Sequence, residues 1–331
     1  MESHCLMTRI RRSARAFQRK DRGFLKFCFF YDDSRLLLQI HTKDGQDYTL
    51  NPAGKTNFYQ KLRYLVQKNH IDILASDVYI SKGRSFRSIQ QCPESNKFNF
   101  YGDGISFSGY RWIHRARLNL HNLNGNGPRK KPDGKYRIEE EKQCRRCGFK
   151  NETLNHVLCH CFVAHGRDMT RRHNAIINRI IPLIPKRKNV ELLLDKTTKS
   201  SNKSRPDIVR IDHALKRVTI IDVTCPFELE NDSLSIAAKR KIQKYSNEAA
   251  IFSQQGYKVY NGSFIIGVLG SWYQGNQAAL NALDISRKRQ KHLTTTIVGE
   301  VIENSKTIFW RHILGDKYQL TNNVYSGTVI D

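Results

Sequence analysis

Two aspartates in the stretch RPDIVRIDHALKRVTIIDVTCPFE, residues 205–228, stand where carboxylates are costly. Asp207 and Asp222 each adjoin a run of β-branched residues with the composition of a protein interior. An ionised carboxylate in such a place needs a compensating cation. The segments DIVRI and RVTIIDV read as consecutive antiparallel strands, with DHALK as the turn between them. That pairing brings Asp207, near the start of one strand, close to Asp222, near the end of the other. Two carboxylates at one sheet end repel unless a cation lies between them. Oxygen ligands of this kind suit Mg²⁺, which keeps several waters and also binds phosphate.

A metal held this way neutralises a phosphodiester and lowers the pKa of an attacking water, and a nearby lysine activates or holds that water. Restriction-type nucleases arrange the parts as Pro-Asp, a strand, then Asp-x-Lys. Here the position two after Asp222 is Thr224, so the lysine must come from elsewhere. The following segment, SLSIAAKRKIQKYSNEAAIFSQQ, reads as a helix with Lys241, Lys244 and Tyr245 on one face at i, i+3 and i+4. A helix packed across the sheet brings Lys241 or Lys244 to the metal, whereas the competing reading is a solvated basic face. Glu228 is a further candidate, for orienting a metal-bound water.

A second constellation lies upstream in CRRCGFKNETLNHVLCHC, spaced Cys144-x2-Cys147-x8-His156-x4-Cys161. A two-residue gap lets two thiolates in one tight turn reach the same ion, and Gly148 supplies the turn's conformational freedom. Three thiolates and an imidazole close a tetrahedral Zn²⁺ site, which is then structural rather than catalytic. Cys159 and His160 stand close enough to leave the fourth ligand open. Clustered cysteines in a chain with no secretory signal point to metal rather than to disulfides.

The chain has 331 residues, with 56 Lys plus Arg against 30 Asp plus Glu, a formal net charge of +26. So large an excess points to a polyanionic partner, and no apolar stretch reaches membrane-spanning length. Residues 1–83 have no assigned role: FLKFCFFYDDSRLLLQIHTKDGQDYTL predicts two strands, NFYQKLRYLVQKNHIDILASDVY a helix, and Gly54-Lys55-Thr56 lacks the leading glycine of a phosphate loop. Residues 84–135 form a basic linker in which YRWIHRARLNLHNL predicts a helix with Trp112, Ala116 and Leu120 on one face. Its Arg111, Arg115 and Arg117, interleaved with aromatics, suit phosphates and stacked bases, the competing reading being a surface helix whose arginine stems lie over a core. A knuckle over 136–166 and a connecting helix over 167–185 follow. The last domain, 186–316, is expected to be α/β, with core strands in YKVYNGSFIIGVLG, a covering helix in QAALNALDISRKRQ and a final helix in TTIVGEVIENSKTIFWRHIL. Residues 317–331 are a tail.

The knuckle, the helix after it, then RPDIV, IIDVTCPFE, KRKIQKYS and FIIGVLGSW occur in a fixed order. In this the chain resembles, over about residues 100–315, the C-terminal part of the polyprotein of site-specific non-LTR (type-1) retrotransposable elements with a restriction-like endonuclease. The resemblance implies a restriction-endonuclease-like mixed sheet flanked by helices, preceded by a zinc knuckle and a helical basic linker. It makes Asp207 and Asp222 the Mg²⁺ ligands and moves the catalytic lysine to the helix, where Lys241 matches better than Lys244, with Tyr245 beside it. Arg205 is expected to contact a phosphate. The implied activity is nicking of double-stranded target DNA in the nucleus, leaving a 3′ end that primes reverse transcription of the element's RNA. No Tyr-x-Asp-Asp polymerase motif stands in the chain, since YDDS at 31 lacks its spacing. The rival expectation is a non-catalytic remnant that still binds RNA or DNA.

Overall fold

The computed structural model describes residues 26–32, 35–41, 46–51, 57–68 except 59 and 66, 85, 88–101, 104–126, 138–195, 205–229, 232–315 and 318. The chain divides into two units, Met1–Gly83 and Arg84–Asp331. In the first, β1 (Lys26–Asp32), β2 (Arg35–His41) and β3 (Asp47–Leu50) form an antiparallel sheet in that order. The sequence predicts two strands here, and the third pairs through Leu38↔Leu50. Leu38, Ile40 and Leu50 bury against Phe58 and Leu65 of the helical stretch near 57–68. Gly54-Lys55-Thr56 lies outside the described residues, as do Arg84, Phe86 and Arg87, the linker from 127 to 137, and nearly all of the tail.

The second unit is built on a four-stranded mixed sheet of β4 (Val190–Leu194), β5 (Ile208–Asp212), β6 (Arg217–Thr224) and β7 (Lys258–Ile265). The first three pair antiparallel, and β6 pairs parallel with β7. Residues 213–216 make the β5–β6 turn, where Asp212 Oδ1 accepts from Leu215 N at 2.9 Å and Lys216 takes φ 47°. Alternation along a strand sends successive side chains to opposite faces. Ile208, Ile221 and Val223 thus enter the main core, while Val209, Ile211, Val218 and Ile220 pack on the other face with Tyr245 and Phe252. A sheet buried on both faces explains why these strands read as continuous apolar runs.

Helices cover both faces. On one side lie α1 (Phe107–Arg117), α2 (Phe162–Ile180), α5 (Asn276–Ala282) and α6 (Arg287–Leu314), which contribute Trp112, Ile176, Leu280 and Ile297 to the main core. On the other lie α3 (Ser233–Lys244) and α4 (Ser246–Gln254). The single helix expected from SLSIAAKRKIQKYSNEAAIFSQQ is broken at Tyr245, whose ring turns into the sheet. Conversely, the sequence divides α6 in two: its start, RKRQ, reads with the covering helix, but the break falls earlier, at Asp284 with φ 60°. Leu120 lies past the end of α1 and is exposed, so only Trp112 and Ala116 of the expected face are core.

The helices α2 and α6 lie against each other through Arg172 Nη1, which donates to Ser305 Oγ, and through ion pairs Arg179–Glu300 and Arg311–Asp168. Gly299 allows the chain to approach α6: a Cβ there would stand 2.1 Å from Gly104 O.

Candidate functional site

Extending the register Ile208↔Ile221 by one residue sets Asp207 opposite Asp222. Asp222 has the strand parity of Ile220, so it faces α3 and α4 rather than the main core. It is 3% exposed. Tyr245 Oη lies 2.5 Å from Asp222 Oδ1 and 2.9 Å from Arg205 O. A hydroxyl has one proton, and the carboxylate is the stronger acceptor. Burial, and then this bond to Asp222, push the Tyr245 phenol well above its usual range, so it stays a donor. Lys241 Nζ stands 2.6 Å from Asp222 Oδ2, an ion pair without the alignment of a hydrogen bond. Lys244 Nζ instead donates to Tyr245 Oη at 2.8 Å.

Asp207 is held from the other side. Its Oδ2 accepts from Val223 N at 2.6 Å and meets His173 Nε2 of α2 at 3.2 Å. The same nitrogen lies 3.2 Å from Val223 O. The bond to Asp207 raises the His173 pKa against the opposing effect of burial. Both contacts of Asp207 fall on Oδ2, leaving Oδ1 without one among the described residues. Asp222 Oδ2 likewise lacks an aligned donor. Two carboxylate oxygens short of donors beside an ammonium form a donor set that fits a hard divalent cation.

The Cys/His cluster forms at the other end of α2. Gly148 takes φ 71° and donates to Cys144 O, closing the turn that carries Cys144 and Cys147. His156 follows on one π-helical turn, His156–His160, and Cys161 stands at the N-cap of α2. The ligand atoms of Cys144, Cys147, His156 and Cys161 all lie within 4.8 Å of one another, a group that could hold a metal ion. The Cys144–Cys161 sulfurs are 3.9 Å apart, and Cys147 Sγ is 3.3 Å from His156 Nε2. A tetrahedron with Zn–S of about 2.3 Å and Zn–N of about 2.05 Å has edges of roughly 3.8 Å and roughly 3.6 Å. The residues fit zinc. Burial pushes the Cys144 and Cys161 thiols up, so thiolates here need a cation. Cys159 instead turns toward Cys225 O, and His160 is exposed, which removes both from the set.

Sequence reasoning misses a layer behind these ligands. Buried Glu152 accepts from Arg145 Nε and Nη2 and from Asn124 N, each at 2.8 Å, and lies 2.8 Å from His312 Nε2. Although burial opposes it, these bonds, His312 first, hold the Glu152 carboxyl far below the usual range. His312 Nδ1 meets His165 Nε2 at 2.9 Å. His312 lies on α6, so no local spacing ties it to the cysteines; Cys161-x3-His165 is the one signal the sequence offers.

Two expected roles change. Arg117 is buried and donates to Leu269 O, Asn96 Oδ1 and Ser95 O, so it does not face a phosphate. Glu228 is fully buried and accepts from the backbone of Leu269 and Ser271, fixing that loop rather than a water at Asp222. Arg111, Arg115 and Arg205 are exposed, and Arg115 also reaches Leu120 O.

Fold and site together define an α/β protein with a Cys/His cluster able to hold zinc and a lysine-paired carboxylate at the sheet end. Comparison with known proteins adds its relatives. Over 138 residues the chain is 30% identical to the "Retrovirus-related Pol polyprotein from type-2 retrotransposable element R2DM" of Drosophila melanogaster, covering 42% of this chain and 12% of that protein. Over 179 residues it is 27% identical to the "Retrovirus-related Pol polyprotein from type-1 retrotransposable element R2" of Popillia japonica, covering 52% of this chain and 36% of that one. The chain therefore spans about a third or less of the curated relatives it matches. Residues 3–120 also match the family described as the T26G10.4 domain, a stretch that includes most of the first unit and all of α1.

Proposed function

We propose that this chain is a retrotransposon-derived, metal-dependent DNA endonuclease of the restriction-like type. The observation that carries the reading is Asp222 at the sheet end, with Lys241 on one oxygen, Tyr245 on the other and Asp207 in register across the hairpin. Similarity to retrotransposon Pol polyproteins supports the same reading. Asp207 and Asp222 would hold Mg²⁺, which supplies charge neutralisation at the phosphate and a more acidic water. Lys241 would hold the attacking water once the metal takes over Asp222. Tyr245 keeps that carboxylate oriented, and His173 does the same for Asp207. Exposed Arg205, two residues before Asp207, is free to take a phosphate contact.

Zinc at the Cys/His cluster would fix the entry of α2 and hence the position of His173. On this reading the partners are double-stranded DNA and the element's RNA, and the site of action is the nucleus. The test is conversion of supercoiled plasmid to nicked circle with Mg²⁺, for the wild type and for Asp222→Ala. Loss of nicking in the variant with DNA retention kept supports the nuclease. Retention without nicking by either protein would favour a nucleic-acid-binding remnant.

A further inference from the structure

The carboxylate pair needs something to lay nucleic acid against it, and α2 offers a surface beside Asp207. His173 Nδ1 lies 3.1 Å from Asn174 Oδ1, on the far side of the ring from Asp207. Asn174 in turn lines an open surface cavity of about 630 Å³, together with Arg167, Arg171, Asn178 and Arg179, and with Glu300 of α6. The chain of contacts from this cavity to the carboxylate is continuous: Asn174, His173, Asp207.

The arginines here differ from their neighbour on the same helix. Arg172 is 3% exposed and donates to Leu158 O and Ser305 Oγ, so the fold accounts for its charge. Arg171 is 64% exposed and reaches Asp168 only at 3.7 Å, while Asp168 is also paired with Arg311. Arg179 is matched by Glu300 at 2.9 Å. Arg167 is exposed and has no acidic partner among the described residues. Among the described residues nothing pairs with Arg167, and only Asp168 approaches Arg171. At 100° per residue, His173 lies on one flank of the exposed Thr170–Asn174 ridge, with Arg167 and Arg171 on the other. A strand on this ridge therefore has the carboxylate site on one side and guanidinium groups on the other.

We propose that this α2 groove seats the phosphate backbone of the DNA strand entering the Asp207–Asp222 site, with Arg167 and Arg171 as its phosphate contacts. This rests on the nuclease reading for the identity of the strand. The probe is a fluorescein-labelled DNA duplex, bound by zinc-loaded protein without Mg²⁺ and followed by anisotropy from 50 to 200 mM KCl. For every phosphate that the protein ceases to neutralise, the slope of log K against log[salt] falls by about 0.9. The Arg167→Ala/Arg171→Ala double variant is expected to lower it by close to two, and to weaken binding about tenfold at the low-salt end. The Lys/Lys double variant should keep the slope, and the melting temperature should not move in either. Asp222→Ala should bind with the wild-type slope. An unchanged slope and affinity in the Ala/Ala variant would overturn the groove, as would a change seen only with an RNA hairpin. A lower slope in a protein that never nicks keeps the groove and removes the nuclease; nicking with an unchanged slope does the reverse.

Discussion

Removing Lys241 should tighten Mg²⁺ binding while slowing nicking by orders of magnitude. The ammonium occupies the carboxylate that Mg²⁺ would need on the nuclease reading, with Nζ 2.6 Å from Asp222 Oδ2. Asp222 is 4% exposed at its side chain and Lys241 28%, so solvent screens the pair only in part. At an effective dielectric of about 20 the gross attraction is on the order of 6 kcal/mol. Desolvation and lysine side-chain entropy reduce the net value to about 2 kcal/mol. A metal entering the site must displace that ammonium. Lys241→Ala removes the competitor and leaves a buried carboxylate uncompensated, so Mg²⁺ affinity should rise about 30-fold at 1.4 kcal/mol per decade. Titration calorimetry of zinc-loaded, DNA-free protein reads this directly, with Asp222→Asn as the variant that loses the heat. Nicking should fall by about 10² to 10⁴, the usual worth of a proton-handling group. Equal or weaker Mg²⁺ binding in Lys241→Ala would refute the reasoning, because the lysine would then be a partner of the metal site and not its occupant.

Further outcomes follow from the same geometry. Cys147→Ser, or chelation of the wild type, should release one zinc per chain by metal analysis and cost at least about 3 kcal/mol, seen as roughly 10 °C in the melting curve. Arg117→Ala should cost about 3 kcal/mol by urea denaturation, because Leu269 O, Ser95 O and Asn96 lose their donor, whereas Arg111→Ala should stay within about 0.5 kcal/mol. Burial between Trp112 and Phe309 lowers the His121 pKa to about 4. The unfolded chain, with His near 6.5, then binds the extra proton first, so this contribution is intact above that pH and is lost as pH falls toward 4. Between pH 7 and pH 5 the loss is about 2 kcal/mol, and His121→Gln should flatten that part of the stability profile.

The hairpin bearing both aspartates was legible because β-branched runs, a polar turn and strand parity all act within twenty residues. Helical periodicity sets Lys241, Lys244 and Tyr245 on one face without choosing between the lysines, and the structure pairs Lys241 with Asp222 and Lys244 with Tyr245. What stayed hidden depends on partners far along the chain. Arg117 reads as a phosphate contact and Glu228 as a residue orienting a metal-bound water, yet both bind the backbone around Leu269, more than forty residues from either. The edge strand β4 is half-buried and mixed in polarity, so it carries no clean alternation. His173 and His312 show no spacing signal because each meets its site from another element.

The helix α2 begins at Cys161 of the Cys/His cluster and carries His173 against Asp207. Twelve residues of α-helix make a rigid ruler of about 18 Å between them, at 1.5 Å per residue. That length equals roughly five steps of a DNA strand at 3.4 Å each. On the nuclease reading, if Cys161 and His173 both serve sites that engage one duplex, the offset between the two sites is written into the helix. One inserted residue would turn His173 by about 100° away from Asp207 as well as lengthening the ruler. Insertions and deletions inside this helix are therefore out of phase in a way that changes in the surrounding loops are not.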